Sequence, residues 1–269
     1  MLRSDGRRLG VIPPLSQNDW VFELKNRIKR NRRLATAIFY LTDLAYLNLR
    51  ERRLFLQSFP PGSALLNLGS GFRSSPPGFV AIDREAYPGV GVQGDLTSLP
   101  IREGTVDGIL CEMVLEHVPD AEAAFREFRR VLKPGGRLYL AVPFLWPYHA
   151  SPHDYRRWTV SGFERDVAGF ETLSAGLSGG PTTTLVNVLH EWLAMVLSLN
   201  LDALYRILYL ALIPLLFPFK ILDVVVSRHR HAAKIGSLLY FHGRKPPADS
   251  LRSGPAPTPE GNPVLRPTM

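Results

Sequence analysis

Titratable and aromatic side chains crowd one stretch of this 269-residue chain. FLWPYHASPHDYRRWT, which starts at Phe144, sets His149, His153, Asp154, Tyr155, Arg156 and Arg157 among Phe144, Trp146, Tyr148 and Trp158. It follows an apolar run ending at Pro143, where a short polar loop would be ordinary, and loops carry function out of proportion to their length. Imidazole is the side chain best suited to move a proton near neutral pH. His153, oriented by Asp154, is the first candidate for a general base and His149 the second, with Tyr155 and the two arginines placing a bound reactant. His149, His153 and Asp154 are also metal-ligand types, but they lack a second acidic or cysteine partner nearby, so no metal is expected. The alternative is architectural, with Tyr155 and Trp158 closing the loop onto a core. A second group, Glu112, Glu116 and His117 in CEMVLEHVP, lies just past another apolar run.

These groups need elements to position them, and the apolar runs supply the pattern. LLNLGSG, from Leu65 to Gly71, reads as a buried strand that stops at two glycines. Gly69 and Gly71 lack Cβ, so they can take positive φ and let a ligand approach the backbone. FVAID follows, ending in Asp83, a carboxylate at a strand end that can accept both hydroxyls of a ribose. GDLTSLP with Asp95, VDGILC from Val106, and GGRLYLAVP from Gly135 complete the series. Four strand candidates separated by turns and helices imply a parallel sheet, whose ligands lie at the carboxyl ends of its strands. Pro76 and Pro77 leave no room for a crossover helix between Gly71 and Phe79. A dinucleotide's pyrophosphate would want that helix, so a ligand without phosphate is favoured.

The order LLNLGSG, VAIDRE, GDLTSLPI, VDGILCEMVLEHVPD and VLKPGGRLYLAVP resembles the type 11 methyltransferase-domain group of the class I S-adenosylmethionine-dependent methyltransferases, over about residues 63 to 143. The resemblance implies an α/β fold with a Rossmann-like, mostly parallel seven-stranded sheet, and S-adenosylmethionine as cofactor. Gly69, Ser70 and Gly71 would sit against its methionine end, Asp83 would hold the ribose hydroxyls, and Asp95 with Leu96 would border the adenine. Asn67 stands where the family usually has an acid; it keeps an acceptor but not the charge, and is assigned to the cofactor together with Glu112. Glu116 and His117 belong to the shared motif and are expected to serve the fold or line the cofactor. HDY-type loops like the one here lie over the acceptor in relatives resembling those of cell-surface polysaccharide and lipid pathways. FETLSAGLSGG, from Phe170 to Gly180, resembles the sixth strand, and KIGSLLYFHGRK, from Lys234 to Lys245, the seventh.

The remaining sequence sets the organisation. The single cysteine, Cys111, excludes an intrachain disulfide and falls in a strand candidate as a buried thiol, which fits a cytoplasmic compartment. No cleavable signal peptide is expected, because MLRSDGRRLG is not followed by an apolar segment. The net charge is +8, and through Arg53 twelve Lys or Arg stand against five Asp or Glu, so the excess is N-terminal. KNRIKRNRR, from Lys25 to Arg33, suits an anionic membrane surface; nucleic acid is disfavoured because no aromatics interleave the run. The expected divisions are a flexible arm over 1–18, helices over 19–61, a methyltransferase core over 62–181, an apolar helical insertion over 182–228, the last strand over 229–245 and a proline-rich disordered tail over 246–269. Within the core, Pro119 is expected to open a helix whose apolar stripe runs from Ala121 to Leu132.

The insertion's longest apolar run, Ile207 to Phe219, is short for a span, and Lys220, Asp223 and two prolines follow or interrupt it. Both its ends must return to one sheet, so it reads as a helical hairpin dipping into the cytoplasmic leaflet or as a lid over the cleft. The expected activity is O-methylation of a hydrophobic or membrane-associated acceptor, a glycan or lipid intermediate. The alternatives are C-methylation of a quinone-type lipid precursor, or a SAM-binding membrane adaptor without activity.

Overall fold

A computed structural model of the chain describes residues 49–71 and 75–247. The expected arm at 1–18, the helical segment up to residue 48 with its basic run, and the tail from residue 248 lie outside the described residues.

Seven strands form one sheet in the order β3-β2-β1-β4-β5-β7-β6. They are β1 (Leu65–Leu68), β2 (Phe79–Asp83), β3 (Val92–Gln93), β4 (Val106–Glu112), β5 (Leu132–Pro143), β6 (Glu171–Gly179) and β7 (Leu238–Arg244). The first five run parallel to their neighbours, and β7 lies antiparallel between β5 and β6. This is the mostly parallel seven-stranded sheet of class I methyltransferases. No helix joins β1 to β2 among the described residues, as the two prolines require.

Strands buried on both faces read as continuous apolar runs, which is why β4 and β5 stood out in the sequence. One face is covered by α2 (Ala121–Val131) and α3 (Val160–Asp166), and Phe125, Phe128 and Phe163 fill the layer between helices and sheet. Helix α2 opens at Ala121, two residues later than Pro119 suggested. Asp120 is the cap, its carboxylate accepting from Ala123 N at 2.8 Å, and Pro119 precedes it. Leu132, the last of the expected stripe, is already in β5, and the pairing with β4 shifts register between Val106 and Gly108 to absorb Lys133–Gly136. Cys111 is buried in β4, and desolvation pushes its thiol well above its ordinary pKa, so it is not a nucleophile.

The other face carries α1 (Leu49–Gln57). Phe55, fully buried, meets Phe59 edge-on at 5.2 Å and Tyr139 at 5.8 Å. It also meets His242 at 5.5 Å. Two charged groups face that imidazole, Glu51 at 4.0 Å and Arg137. Burial, helped by Arg137, lowers the His242 pKa from about 6.5 to about 4. The folded state therefore favours the neutral ring, and its contribution to stability is complete above pH 6.5 and is lost as pH falls towards 4. In calorimetric melts, His242→Phe should lose less Tm than the wild type between pH 7 and pH 4.5. An equal loss in both would show that this ring does not set the acid sensitivity.

Candidate functional site at the carboxyl edge of the sheet

At the end of β1 the chain turns through Gly69, at φ +66°, and Gly71, at φ +58°. A Cβ on Gly69 would sit 2.3 Å from the Val114 side chain, so that glycine lets the segment after β4 pack onto the turn. Among the described residues nothing lies within 4 Å of a Cβ position on Gly71, which leaves room for a ligand there. Asp83, buried at the end of β2, ties the two turns together: one oxygen accepts from Gly71 N at 2.8 Å and the other from Glu85 N at 2.9 Å. Each carboxylate oxygen keeps a further lone pair, enough to accept the two hydroxyls of a ribose. Ser70 Oγ is buried beside them without a partner among the described residues. An open glycine backbone, a strand-end carboxylate and an orphan hydroxyl, with no phosphate-binding helix, fit S-adenosylmethionine.

The other cofactor candidates are engaged differently. Asn67 donates one amide N–H to Ser75 Oγ at 3.0 Å. Asp95 is exposed and closes its own turn through Thr97, whose backbone N–H and hydroxyl hold its pKa down, while Leu96 is buried beneath. Glu112 takes the Arg52 guanidinium from α1, Nε lying 2.9 Å from each oxygen. Met113, next along, holds φ at +56°, a conformation costly for a residue with a side chain and one that collects at functional sites.

The loop over 144–158 folds back across the strand ends. Trp158 N donates to Pro143 O, the buried indole donates to Asp166, and Tyr155 N donates to Glu116 O at 2.7 Å. Arg157 is its brace, donating to the carbonyls of Trp146 and Pro147 and to both oxygens of Asp154. Asp154 also accepts from His149 N at 2.8 Å and lies 3.2 Å from His149 Nδ1. The expected pairing of Asp154 with His153 is therefore corrected: Asp154 orients His149. Sequence neighbours in an extended segment point to opposite sides, whereas the curl of the loop brings a residue five positions back onto the carboxylate. His153 is exposed with its ring against Tyr155, itself 51% exposed, and its carbonyl binds His117 Nδ1 at 2.6 Å. Arg156 turns away to Trp158 and Asp166.

Three side chains thus converge. Glu116 is fully buried with neither oxygen hydrogen-bonded among the described residues. His149 Nε2 lies 3.6 Å and His117 Nε2 3.8 Å from Glu116 Oε1. Burial alone would lower the His149 pKa, but Asp154 and Glu116 together raise it. The His117 pKa is lowered by burial. Burial works against ionised Asp154 as well, yet Arg157 and His149 hold its carboxyl well below the usual range. Val114, packed on Gly69, directly precedes the turn that carries Glu116 and His117, so this cluster is set beside the glycine turn. The sequence alone suggests that Glu116 serves the fold or lines the cofactor. Its signal was an acid where a buried turn needs none.

A family model described as a methyltransferase domain matches residues 75–140. The core is a methyltransferase domain. Its relatives include the ubiquinone biosynthesis O-methyltransferase of Xanthomonas oryzae, 50% identical over 39 residues, which are 14% of this chain and 16% of that protein. The ubiquinone/menaquinone biosynthesis C-methyltransferase of a Caulobacter strain is 43% identical over 54 residues, 20% of this chain and 21% of its own length. An uncharacterised protein in a Streptomyces fradiae transposon is 45% identical over 60 residues, 22% and 17% of the two chains. The chain thus matches only about a fifth or less of the length of these relatives. Among solved structures, a SAM-dependent methyltransferase from Thermotoga maritima superposes with TM-score 0.48 at 14% identity, covering 82% of this chain and 99% of its own. The phosphoethanolamine N-methyltransferase 2 of Haemonchus contortus, in complex with S-adenosyl-L-methionine, gives 0.47 at 13%, covering 83% and 59%. The fold assignment rests on the strand order and not on these superpositions.

Removing the strand-end carboxylate of this methyltransferase domain should weaken cofactor binding. Losing even one hydrogen bond to a charged group costs about 1.5 to 3 kcal/mol, so Asp83→Ala should bind S-adenosylmethionine at least about 10-fold more weakly in calorimetry. Wild-type affinity in that variant would mean that Asp83 does not hold the ribose.

Proposed function

We propose that the protein transfers the methyl group of S-adenosylmethionine to a hydroxyl of a hydrophobic or membrane-associated acceptor, a lipid or glycan intermediate reached at the cytoplasmic face of a membrane. The observation that carries this reading is where the apolar insertion emerges. Helices α4 (Pro181–Leu197) and α5 (Asp202–Leu216) follow directly from β6, and the chain returns through Phe217–Leu222 and α6 (Asp223–Val226) to β7. Gly179 and Pro143 both pair with Leu238, so the hairpin leaves the sheet at the same edge as the His149 loop.

The hairpin turns several of its polar groups inward, although Asp202 and Arg206 on α5 are exposed. Asp223 is fully buried and accepts from Thr182 N and Thr183 N, stabilising the start of α4. Lys220 is buried with its ammonium 3.7 Å above the Phe217 ring. His190 bonds the Tyr209 carbonyl across the two helices, and Tyr205 donates to Glu191. The outward stripe is Leu185, Val188, Trp192 and Met195, each at least half exposed, and Ile207 on α5 is 63% exposed. Polar groups inside and apolar ones outside is the arrangement that suits lipid. Lys220 and Asp223 therefore do not oppose insertion as their positions in the sequence suggested.

The stretch Asp202–Val226 is long and apolar enough to cross a membrane, with a mean hydropathy of 2.0 over its best window. A single crossing would leave β6 and β7 on opposite sides, and they are neighbours in one sheet. A hairpin seated in one leaflet satisfies both constraints, and an amphipathic anchor of that kind binds in proportion to its buried apolar area. Among the described elements the hairpin packs chiefly on itself and on 217–226.

The sulfonium of the donor already activates the methyl group, so the protein has to align the acceptor oxygen and remove its proton. Glu116, His117 and His149 are the groups placed for that proton, and Asp83, Ser70 and Gly71 for the donor. Asn67 in place of an acid favours the adaptor reading; of the two quinone-pathway relatives, one is a C-methyltransferase and favours C-methylation while the other is an O-methyltransferase, each matched only over a short segment.

Purified protein given labelled S-adenosylmethionine and bacterial membrane extract should place label in the solvent-extractable lipid fraction, and His149→Ala should cut the rate about 10²- to 10⁴-fold while keeping cofactor affinity. Label found only in water-soluble products would contradict the acceptor class. No transfer to any fraction would support the adaptor.

A further inference from the structure

We infer that Glu116, His117 and His149 form a binding site for a divalent transition-metal ion of the zinc class. One ligand atom from each of Glu116, His117 and His149 lies within 4.8 Å of the other two, and both Nε2 atoms face Glu116 Oε1. Both imidazoles are oriented through their other nitrogen. His117 Nδ1 meets the His153 carbonyl at 2.6 Å, and His149 Nδ1 has Asp154 Oδ2 at 3.2 Å and the Pro147 carbonyl at 3.3 Å. Those acceptors favour protons on the Nδ1 atoms, which turns two Nε2 lone pairs toward a carboxylate.

With both imidazoles neutral, three electron-rich groups face one another, and a metal cation between them would be stabilised by all three. Glu116 is fully buried with both oxygens unpartnered among the described residues. The separations of 3.6 and 3.8 Å from Glu116 Oε1 are too long for N–H···O hydrogen bonds. They approach the spacing of roughly 3.3 Å between ligand atoms around a tetrahedral ion with bonds of about 2.0 to 2.1 Å. Two imidazoles and one carboxylate suit zinc or ferrous iron rather than magnesium, and leave coordination positions open. Backbone carbonyl and carboxylate acceptors behind the imidazoles are the outer support that metal-bound histidines characteristically have. Open positions would let the ion bind the acceptor's hydroxyl oxygen directly. The inference goes beyond the methyl-transfer reading, and because it is measured without donor or acceptor, its failure leaves that reading standing.

Tag-free full-length protein, stripped with chelator and dialysed, should bind one Zn²⁺ per chain in calorimetry, with a rise in Tm. Co²⁺ in place of Zn²⁺ should give visible d–d absorption. His149→Ala and Glu116→Gln should abolish both signals, and Asp154→Asn should weaken Zn²⁺ binding about 10- to 100-fold. The exposed His229 and His231, with rings 5.4 Å apart, are the competing site, so His229→Ala/His231→Ala should leave binding intact. Loss of binding in that double variant, its persistence in His149→Ala and Glu116→Gln, or no uptake of Zn²⁺ by the folded wild type would each overturn the site.

Discussion

The position of β7 is the constraint on which the rest depends. Because it runs antiparallel between β5 and β6, the ends of β5 and β6 and the start of β7 share one edge with the glycine turn of β1. Phe144 N donates to Ser237 O at 2.9 Å, so the first residue of the His149 loop is bonded to the segment entering β7. Gly179 O accepts from Ser237 N on the other side. Loop, hairpin and cofactor turn are held together by ladder bonds rather than by loose surface contacts. If β7 were parallel, its connection from β6 would have to cross to the opposite edge of the sheet.

Acidic groups near that edge show how it is organised. Asp83 is held by two backbone amides, Asp154 by Arg157 and His149, Glu112 by Arg52, and Asp223 by the first amides of α4. These carboxylates brace structure, and their partners satisfy the charge that burial would otherwise disfavour. Glu116 stands apart, more deeply buried than Asp83 and without a partner among the described residues. A fold that satisfies its other edge carboxylates and leaves this one open marks it as the group awaiting a ligand.

The sheet was legible in the sequence because its strands are apolar runs with turn residues at their ends, and Asp83 and Gly71 could be placed from strand order alone. Helix α2 was legible from its stripe, though Asp120 rather than Pro119 starts it. What failed to show was side-chain direction within loops. Whether Asp154 serves His149 or His153 depends on how Arg157 curls the backbone onto the Trp146 and Pro147 carbonyls, and no local preference encodes that. Asp223 looked like a charge on an apolar helix, whereas a contact with Thr182, some forty residues away in sequence, turns it inward. The burial of Glu116 depends on the loop that covers it, so its type and position alone gave it a structural reading.

The central physical claim is that the carboxyl edge of the sheet meets a lipid surface through the α4–α5 hairpin. Tryptophan quenching by phospholipids brominated along their acyl chains tests it directly, since Trp192 lies on the outward apolar stripe, 52% exposed. With vesicles containing anionic lipid, the account predicts quenching of the wild type that is lost in Trp192→Phe. Emission unchanged by brominated vesicles, or quenching that Trp192→Phe leaves intact, would contradict it.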